Sequence, residues 1–165
     1  MQDPDLNLLI TAAKKAGELA KNYDFRKLKV SEKEGGAGPV TEADIEIDRM
    51  LFKYLTSARP DYGWLCEEST SDIPHYEKNC AFVIDPIDGT RDFIKGGNNW
   101  SHSFSVVKNG KVSAAVVYVP KQDLLFSAYL GGGSWLNGER LQIKELSNSG
   151  AVSYTHLTLP TMMSV

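Results

Sequence analysis

The stretch CAFVIDPIDGT, residues 80–90, joins five apolar residues to a polar segment with two aspartates, a proline and a glycine. Such an apolar run is typical of a buried strand, and the proline and glycine indicate that the strand ends in a turn. On a continuing strand, Asp85 and Asp88 would point to opposite faces because their separation is odd. In a turn their Cα atoms come within about 7 Å, so we predict a turn that brings both carboxylates to one ligand.

Oxygen atoms are the ligands that this segment offers. The carbonyl of Ile87 can point into the same space as the two carboxylates, and an oxygen-only ligand set favours a hard cation such as Mg²⁺. If a helix begins after Gly89 and Thr90, its free N–H groups form an anion site beside the cation. The alternative is structural: Asp85 caps a turn, Thr90 caps a helix, and neither binds a ligand.

Two further acidic segments favour a functional site. Glu67 and Glu68 follow directly after the strand candidate YGWLC, and Asp44 lies just inside a helix that Thr41 is expected to cap. Each has a structural explanation, as a solvated strand end and as a capping box respectively. Three acidic segments in this order and in these contexts are harder to explain by structure alone.

The remaining pattern predicts an α+β fold with layered helices packed on a mostly antiparallel sheet. Helical periodicity covers residues 6–23 and 42–59, and the polar, glycine-rich residues 27–40 predict a mobile loop or a loose hairpin. A hairpin with an Asn109-Gly110 turn is predicted over residues 103–120. We expect two more strands, LLFSAYL and RLQI, with GGGSWLNGE as the segment that separates them.

Composition and charge limit the classes of function. The chain has 165 residues, 42% of them hydrophobic and 24% charged, which is typical of one ordinary globular domain. A net charge of −3 gives no electrostatic case for binding nucleic acid or an anionic membrane, and no apolar run is long enough to span a bilayer. Cys66 and Cys80 form neither a C-x-x-C motif nor a zinc spacing, so we expect a reduced, cytoplasmic setting.

Three segments, VTEAD (40–44), EES (67–69) and DPIDGTRDFIKG (85–96), together resemble the inositol monophosphatase family of metal-dependent phosphomonoesterases. The similarity covers about Leu6 to Leu146 and includes the glycine-rich GGGSWLNGERLQI. The resemblance implies that residues 1–146 form the first domain of that family's fold. It is also compatible with a homodimer.

The resemblance implies a set of metal ligands. Glu67 corresponds to the ligand shared between metals, and Asp85 to the carboxylate that bridges two of them. The backbone carbonyl of Ile87 completes the first Mg²⁺ site, and Asp88 belongs to the second.

The resemblance also implies catalytic and substrate-binding roles. Thr90 with Glu67 would position and activate the attacking water, and Asp44 would assist through Thr90. The amides of Gly89 and Thr90 would hold the phosphate. Lys33, in the glycine-rich segment, matches a lysine near the phosphate and a third metal.

The implied activity is Mg²⁺-dependent hydrolysis of a small phosphorylated metabolite, inositol monophosphate, by metal-activated water. The TRDF segment that begins at Thr90 departs from the T-x-N-F form of many inositol phosphatases. A 3'(2'),5'-bisphosphate nucleotidase acting on 3'-phosphoadenosine 5'-phosphate and a histidinol-phosphate phosphatase therefore stay open as alternatives. A haloacid-dehalogenase-type phosphatase is disfavoured, because its two aspartates are two residues apart and it has no use for Glu67 and Glu68.

Two departures from the family pattern bear on activity. Cys66 replaces the glycine that commonly precedes the glutamate pair, and the family's later W-D-x-x-A-G motif, which supplies one more aspartate, has no match. Residues 147–165 form an unassigned tail that resembles translated cloning or adapter sequence joined to a truncated gene. A truncated, non-catalytic metal-binding domain is therefore the non-enzymatic alternative for this chain.

Overall fold

A computed structural model of the chain describes residues 3–36, 38–68 and 78–142. The predicted tail, residues 147–165, and most of the segment 71–79 lie outside the described residues. Helices and strands follow in this order: α1 (Pro4–Lys21), β1 (Val30–Glu32), β2 (Pro39–Thr41), α2 (Glu42–Ala58), β3 (Gly63–Cys66), β4 (Cys80–Asp88), α3 (Thr90–Ile94), β5 (Ser101–Lys108), β6 (Lys111–Val119), β7 (Leu124–Tyr129), β8 (Gly133–Leu136) and β9 (Glu139–Arg140).

Strands β3 to β9 form one sheet in sequence order. Strands β3 and β4 pair in parallel, and every later neighbour pair in this sheet is antiparallel. Strands β1 and β2 form a separate antiparallel hairpin. Of the two alternatives predicted for residues 27–40, a mobile loop or a loose hairpin, the hairpin is the one observed. The α+β fold class with a mostly antiparallel sheet is confirmed.

Side-chain caps start both long helices where the sequence predicts. The carboxylate of Asp3 accepts hydrogen bonds from the amides of Asp5 and Leu6, at 2.8 and 3.1 Å. Thr41 and Asp44 form the reciprocal capping box at the start of α2. None of the helices in the described part of the chain combines the length and apolarity that crossing a bilayer requires.

The two long helices cover one face of the sheet. Helix α1 contacts β5, β6, β7 and α2, and α2 contacts β4. Gly17 permits the close approach of α1 to β6, because a Cβ at this position would lie 2.6 Å from the ring of Tyr118. Between the layers lies an apolar core whose largest fully buried side chains include Leu6, Leu9, Ile47, Leu51, Leu55, Trp64, Phe82, Phe93, Trp100 and Phe104.

The antiparallel half of the sheet both confirms and corrects the strand prediction. Asn109 and Gly110 have φ of 49° and 75°, the left-handed pair that a two-residue hairpin turn requires. The segment GGGSWLNGE is not only a connection, because residues 133–136 form β8 and pair with β7. Of the predicted strand RLQI, Arg140 lies in β9, which pairs with β8 over Glu139 and Arg140. Ile143 lies outside the described residues.

The turn predicted at DPID is wrong, because β4 continues through the motif to Asp88. The strand contains a β-bulge instead: Asp85 pairs with Ser103 and Asp88 with Ser101, so two residues of β4 face one of β5. Proline has no N–H to donate to a neighbouring strand, and a bulge is one of the few positions in a sheet where this is tolerated. Pro86 lies in the bulge. One extra residue also restores Asp85 and Asp88 to the same side of the strand, which is the convergence that the turn was expected to give.

A buried ionic network ties the start of α1 to the sheet. Asp5 is 3% exposed and its carboxylate contacts Arg59 Nε at 2.9 Å, the Tyr62 hydroxyl at 3.0 Å and Lys108 Nζ at 2.7 Å. Burial alone would raise the pKa of Asp5, but the hydrogen bonds from Lys108 and Tyr62 and the charges of Lys108 and Arg59 together lower it. The ionised form is therefore the one that stabilises the fold.

We expect Asp5→Asn to lower the free energy of unfolding at pH 7 by about 2 kcal/mol. This is less than the ~3–5 kcal/mol typical of fully buried pairs, because Arg59 and Lys108 stay partly exposed. Since the folded-state pKa of Asp5 is lowered, its contribution is present above the unfolded-state pKa near 3.8 and is lost as the pH falls below it. Urea unfolding of both proteins between pH 7 and pH 2.5 measures the difference.

Glu18→Gln is the matched control, because Glu18 forms an exposed pair with Lys21 at 3.4 Å. Its effect should stay within about 0.5 kcal/mol at every pH. A difference between Asp5→Asn and the parent that persists at the acidic end would contradict the ionic assignment.

Candidate metal-dependent active site

The carboxyl ends of β3 and β4 bring the predicted acids together. The two strands are parallel neighbours with Cys66 opposite Ile84, so Glu67 follows β3 at the level where Asp85 lies on β4. The amide of Glu67 continues the ladder by donating to the carbonyl of Ile84 at 3.1 Å. Adjacent parallel strands thus place two acidic side chains from distant parts of the sequence beside each other.

Asp85 is in an environment that disfavours its ionisation. Burial, the negative charges of Glu67 and Asp88 and a hydrogen bond with Glu67 raise the pKa of Asp85 to about 7. Its Oδ1 is buried and has no hydrogen-bond partner among the described residues. The negative charge of Asp88 is among the causes, so the two aspartates of the motif lie within electrostatic range of each other.

Lys33 supplies the positive charge nearest to these acids. Its ammonium group lies 2.6 Å from Glu67 Oε1 and 2.9 Å from Glu68 Oε1, and its side chain is 16% exposed. Burial would lower the pKa of Lys33, but the hydrogen bonds and charges of the two glutamates raise it. Lys33 sits at the tip of the β1–β2 hairpin, where its amide donates to the carbonyl of Gly38 at 2.9 Å.

Asp44 lies in the first turn of α2 and is completely buried. One carboxylate oxygen accepts hydrogen bonds from the Thr41 amide, at 2.8 Å, and from the Thr41 hydroxyl. The other oxygen is buried without a partner in the described part of the chain, and burial raises the pKa of Asp44 despite the bonds from Thr41. The charges of Lys33 and Asp44 influence each other, as do those of Asp44 and Glu68, so Asp44 borders the same acidic cluster.

Gly89 and Thr90 form the junction between β4 and α3. Gly89 has φ of 89°, and a Cβ there would lie 2.8 Å from the carbonyl oxygen of Asn99, so glycine is required. The Thr90 hydroxyl donates to the carbonyl of Ile87 at 3.0 Å. Helix α3 has only five residues, so the helix expected after the motif exists but is short.

One open cavity of about 290 Å³ collects most of the predicted site. It is lined by Lys33, Gly38, Pro39, Glu67, Asp88, Gly89, Thr90 and Arg91. Asp85 lines a neighbouring cavity of about 320 Å³ that shares Glu67 with the first. Asp44 and the side chain of Ile87 are buried and line neither cavity.

The donor set fits a divalent cation, although the ligands are not drawn together. Over residues 3–36, 38–68 and 78–142, no three His, Cys, Asp or Glu side chains are spaced to hold a metal ion as they stand. Glu67 is paired with Lys33 instead. The buried, unpartnered oxygen of Asp85 and the surplus of negative charge around it are the features that a hard cation would neutralise.

Sequence reasoning missed two neighbours of the site. Arg91 directly follows Thr90 and lines the cavity beside Lys33. His102 is completely buried and is hydrogen-bonded to the carbonyl of Pro86. The available signal for His102 was its alternation along β5 with the apolar Phe104 and Val106, which marks it as inward-facing.

Comparisons with known proteins agree with this geometry. The chain is 36% identical over 140 residues to an inositol-1-monophosphatase of Rhizobium meliloti and 35% identical over 140 residues to the Nus factor SuhB of Escherichia coli; each alignment covers 84% of this chain and 52% of the relative. A solved structure, the extragenic suppressor protein suhB of Bartonella henselae, superimposes with a TM-score of 0.79 at 34% identity, over 87% of this chain and 55% of that one.

The chain thus spans about half the length of the curated relatives that it matches. The sequence pattern of the inositol monophosphatase family matches residues 1–162. That match covers nearly the whole chain, including the segments 67–69 and 85–96 that contain the acids at the ends of β3 and β4. On this evidence the chain belongs to the inositol monophosphatase family.

Proposed function

We propose that the chain carries the metal-binding half of a Mg²⁺-dependent phosphomonoesterase that hydrolyses a small phosphorylated metabolite, inositol monophosphate. The observation that carries the proposal is that Glu67 lines two neighbouring cavities, one with Asp85 and the other with Asp88, Gly89 and Thr90. These residues come from two strand ends and a strand–helix junction, and they leave negative charge uncompensated. Such an arrangement costs stability unless a cation binds there.

Four oxygen donors would hold the cations. Glu67, Asp85 and Asp88 supply carboxylates, and Ile87 supplies its backbone carbonyl, which already points towards the Thr90 hydroxyl. When bound, Mg²⁺ would supply Lewis acidity towards the phosphate and towards water. Asp85, with its buried and unpartnered oxygen, would be one of the carboxylates that hold a cation.

Thr90 and Glu67 would position the attacking water. A hydroxyl is both donor and acceptor, so Thr90 can donate to one partner while accepting a hydrogen bond from water. The half-exposed carboxylate of Glu67 reaches the cavity and can take up a proton from that water. One oxygen of Asp44 is already hydrogen-bonded to Thr41. Asp44 would therefore influence the site electrostatically, through the charges of Lys33 and Glu68.

The phosphate would be held by the amides of Gly89 and Thr90 and by Lys33. All three residues line the 290 Å³ cavity, whose volume is at the lower end of the range for small-molecule sites. A small phosphorylated metabolite suits this volume. The cytoplasmic setting and the homodimer remain predictions.

A second candidate substrate is a metabolite with two phosphate groups, such as 3'-phosphoadenosine 5'-phosphate. The observation that favours it is Arg91, which adds a second cationic side chain to the cavity wall and lies against the hairpin near Gly38. A guanidinium group binds a phosphate in a bidentate manner. Histidinol phosphate, which carries a single phosphate, gains nothing from this second charge. A non-catalytic metal-binding domain is the remaining alternative.

The test is phosphate release from inositol 1-phosphate, adenosine 3',5'-bisphosphate and histidinol phosphate, with Mg²⁺ and with EDTA. The assay uses this chain and the full-length product of its gene. We expect Mg²⁺-dependent release, highest with inositol 1-phosphate. Asp85→Asn should lower it more than about a hundredfold, since even partners of metal ligands typically contribute 10- to 100-fold.

Asp61→Asn is the matched control, because Asp61 is an exposed aspartate outside both cavities. It should leave release unchanged. Release that persists in EDTA, or that survives Asp85→Asn, would overturn the metal-dependent mechanism. Release by the full-length product alone would assign catalysis to the longer protein, and absence of release from either form would favour the non-catalytic alternative.

Lys33→Met tests the charge balance of the site. Methionine keeps most of the side-chain volume but removes the ammonium that pairs with Glu67 and Glu68. We expect Mn²⁺ to bind about fivefold more tightly without phosphate, the equivalent of the ~1 kcal/mol of a partly exposed ion pair. Titration calorimetry measures this, and the KM for the phosphorylated substrate should rise in the same variant.

Lys29→Met is the control for this variant. It removes one positive charge and one ion pair, with Glu42 at 3.6 Å, but Lys29 lies outside the cavity. The control should bind Mn²⁺ as the parent does. If Mn²⁺ affinity rises equally in both variants, the cause is the change in net charge, and the specific role of Lys33 is contradicted.

A further inference from the structure

The bulge in β4 creates a hydrogen-bonding problem next to the site. Residues Pro86 and Ile87 face the single residue His102 of β5, so the regular ladder is interrupted there. Pro86 is buried and its carbonyl needs a donor, because water cannot reach it freely. The backbone of a two-against-one bulge leaves the extra residue unpaired.

His102 solves this problem with its side chain. Ring nitrogen Nδ1 is in hydrogen-bond contact with the carbonyl oxygen of Pro86. A carbonyl has no proton to give, so Nδ1 must be the donor. Burial lowers the pKa of His102 to about 4, which keeps the ring neutral with a single N–H. That proton is therefore on Nδ1, and Nε2 carries the lone pair.

Within the described part of the chain, His102 has no other polar partner. The ring stacks on Phe104 with centroids 5.9 Å apart and meets Trp100 edge-on at 5.5 Å, and Tyr118 lies beyond at 6.4 Å. Nε2 is buried without a hydrogen-bond partner among the described residues. An apolar side chain would satisfy these neighbours better, so the bond to Pro86 is the interaction that requires a histidine.

We propose that His102 is a positioning residue that fixes the Pro86–Ile87 peptide and thereby aims the Asp85 carboxylate and the Ile87 carbonyl at the cation. The peptide bond is planar, so a donor on the Pro86 oxygen sets the direction of the Ile87 N–H as well. Asp85 precedes this peptide and the Ile87 carbonyl follows it. The effect on cation binding rests on the proposed function, whereas the hydrogen bond between His102 and Pro86 is present without any bound group.

The first test reads the ring proton directly. Long-range ¹H–¹⁵N correlation spectra of the ¹⁵N-labelled chain without metal distinguish the two tautomers, and the His102→Asn spectrum identifies the signal among the three histidines. We expect a neutral ring protonated on Nδ1 at pH 7. A neutral ring protonated on Nε2 would overturn the proposal, because Nδ1 would then have no proton to donate to the Pro86 carbonyl.

The second test separates positioning from packing through Mn²⁺ affinity. His102→Leu removes the donor, and we expect the affinity to fall roughly tenfold, the scale typical of groups that orient metal ligands. His102→Asn has an amide N–H that can occupy the place of Nδ1, and its affinity should return to within about threefold of the parent although the aromatic contacts are lost.

Val106→Ala is the packing control. Val106 is fully buried and lies four residues along β5, so it faces the same side as His102. It should lower the unfolding midpoint without changing Mn²⁺ affinity. Equal affinity of the parent and His102→Leu, or no recovery in His102→Asn, would overturn the positioning role. Absence of Mn²⁺ binding in the parent would instead count against the proposed function.

Discussion

One irregularity of the backbone, the bulge at Pro86–Ile87, determines how the site is built. A regular β4 would place Asp85 and Asp88 on opposite faces of the sheet, one of them towards the apolar core. The bulge inserts one residue, and both carboxylates reach the same region. Pairing with β5 resumes at Asp88, one residue before Gly89, whose left-handed φ starts α3. The placement of the two aspartates and the buried carbonyl of Pro86 both follow from this one inserted residue.

The buried carboxylates of Asp5 and Asp85 are in opposite electrostatic environments. Where a charged group only stabilises the fold, as Asp5 does, its partners outweigh the effect of burial and the pKa falls. At Asp85 burial and neighbours of the same sign raise the pKa to about 7. The pKa values of Asp44 and Glu68 are raised as well, chiefly through burial. The two clusters therefore differ in the charges that face the buried carboxylate: cations surround Asp5, whereas other acids surround Asp85.

Much of the fold could be predicted because local interactions decide it. The cap at Asp3, the capping box of Thr41 and Asp44 and the Asn109-Gly110 turn are formed within a few residues, so the sequence shows them directly. The bulge could not be predicted, because proline and glycine mark turns and bulges alike and only the register with β5 separates the two. Strand β8 was missed for a related reason: glycines flank it on both sides, and its pairing with β7 is not local.

The candidate acids could be chosen from the sequence, but the balance of charge around them could not. Glu67, Asp85 and Asp88 follow apolar strand candidates, which makes them visible as a group although the end of β4 was predicted wrongly. The pairing of Lys33 with Glu67 and Glu68 joins residues more than 30 positions apart, and no local pattern encodes it. The acids lie on strands fixed by the seven-stranded sheet, whereas Lys33 lies on a hairpin with three residues in each strand. In the proposed function, Glu67 would hold a cation in place of its contact with Lys33, the partner that lies on the smaller element.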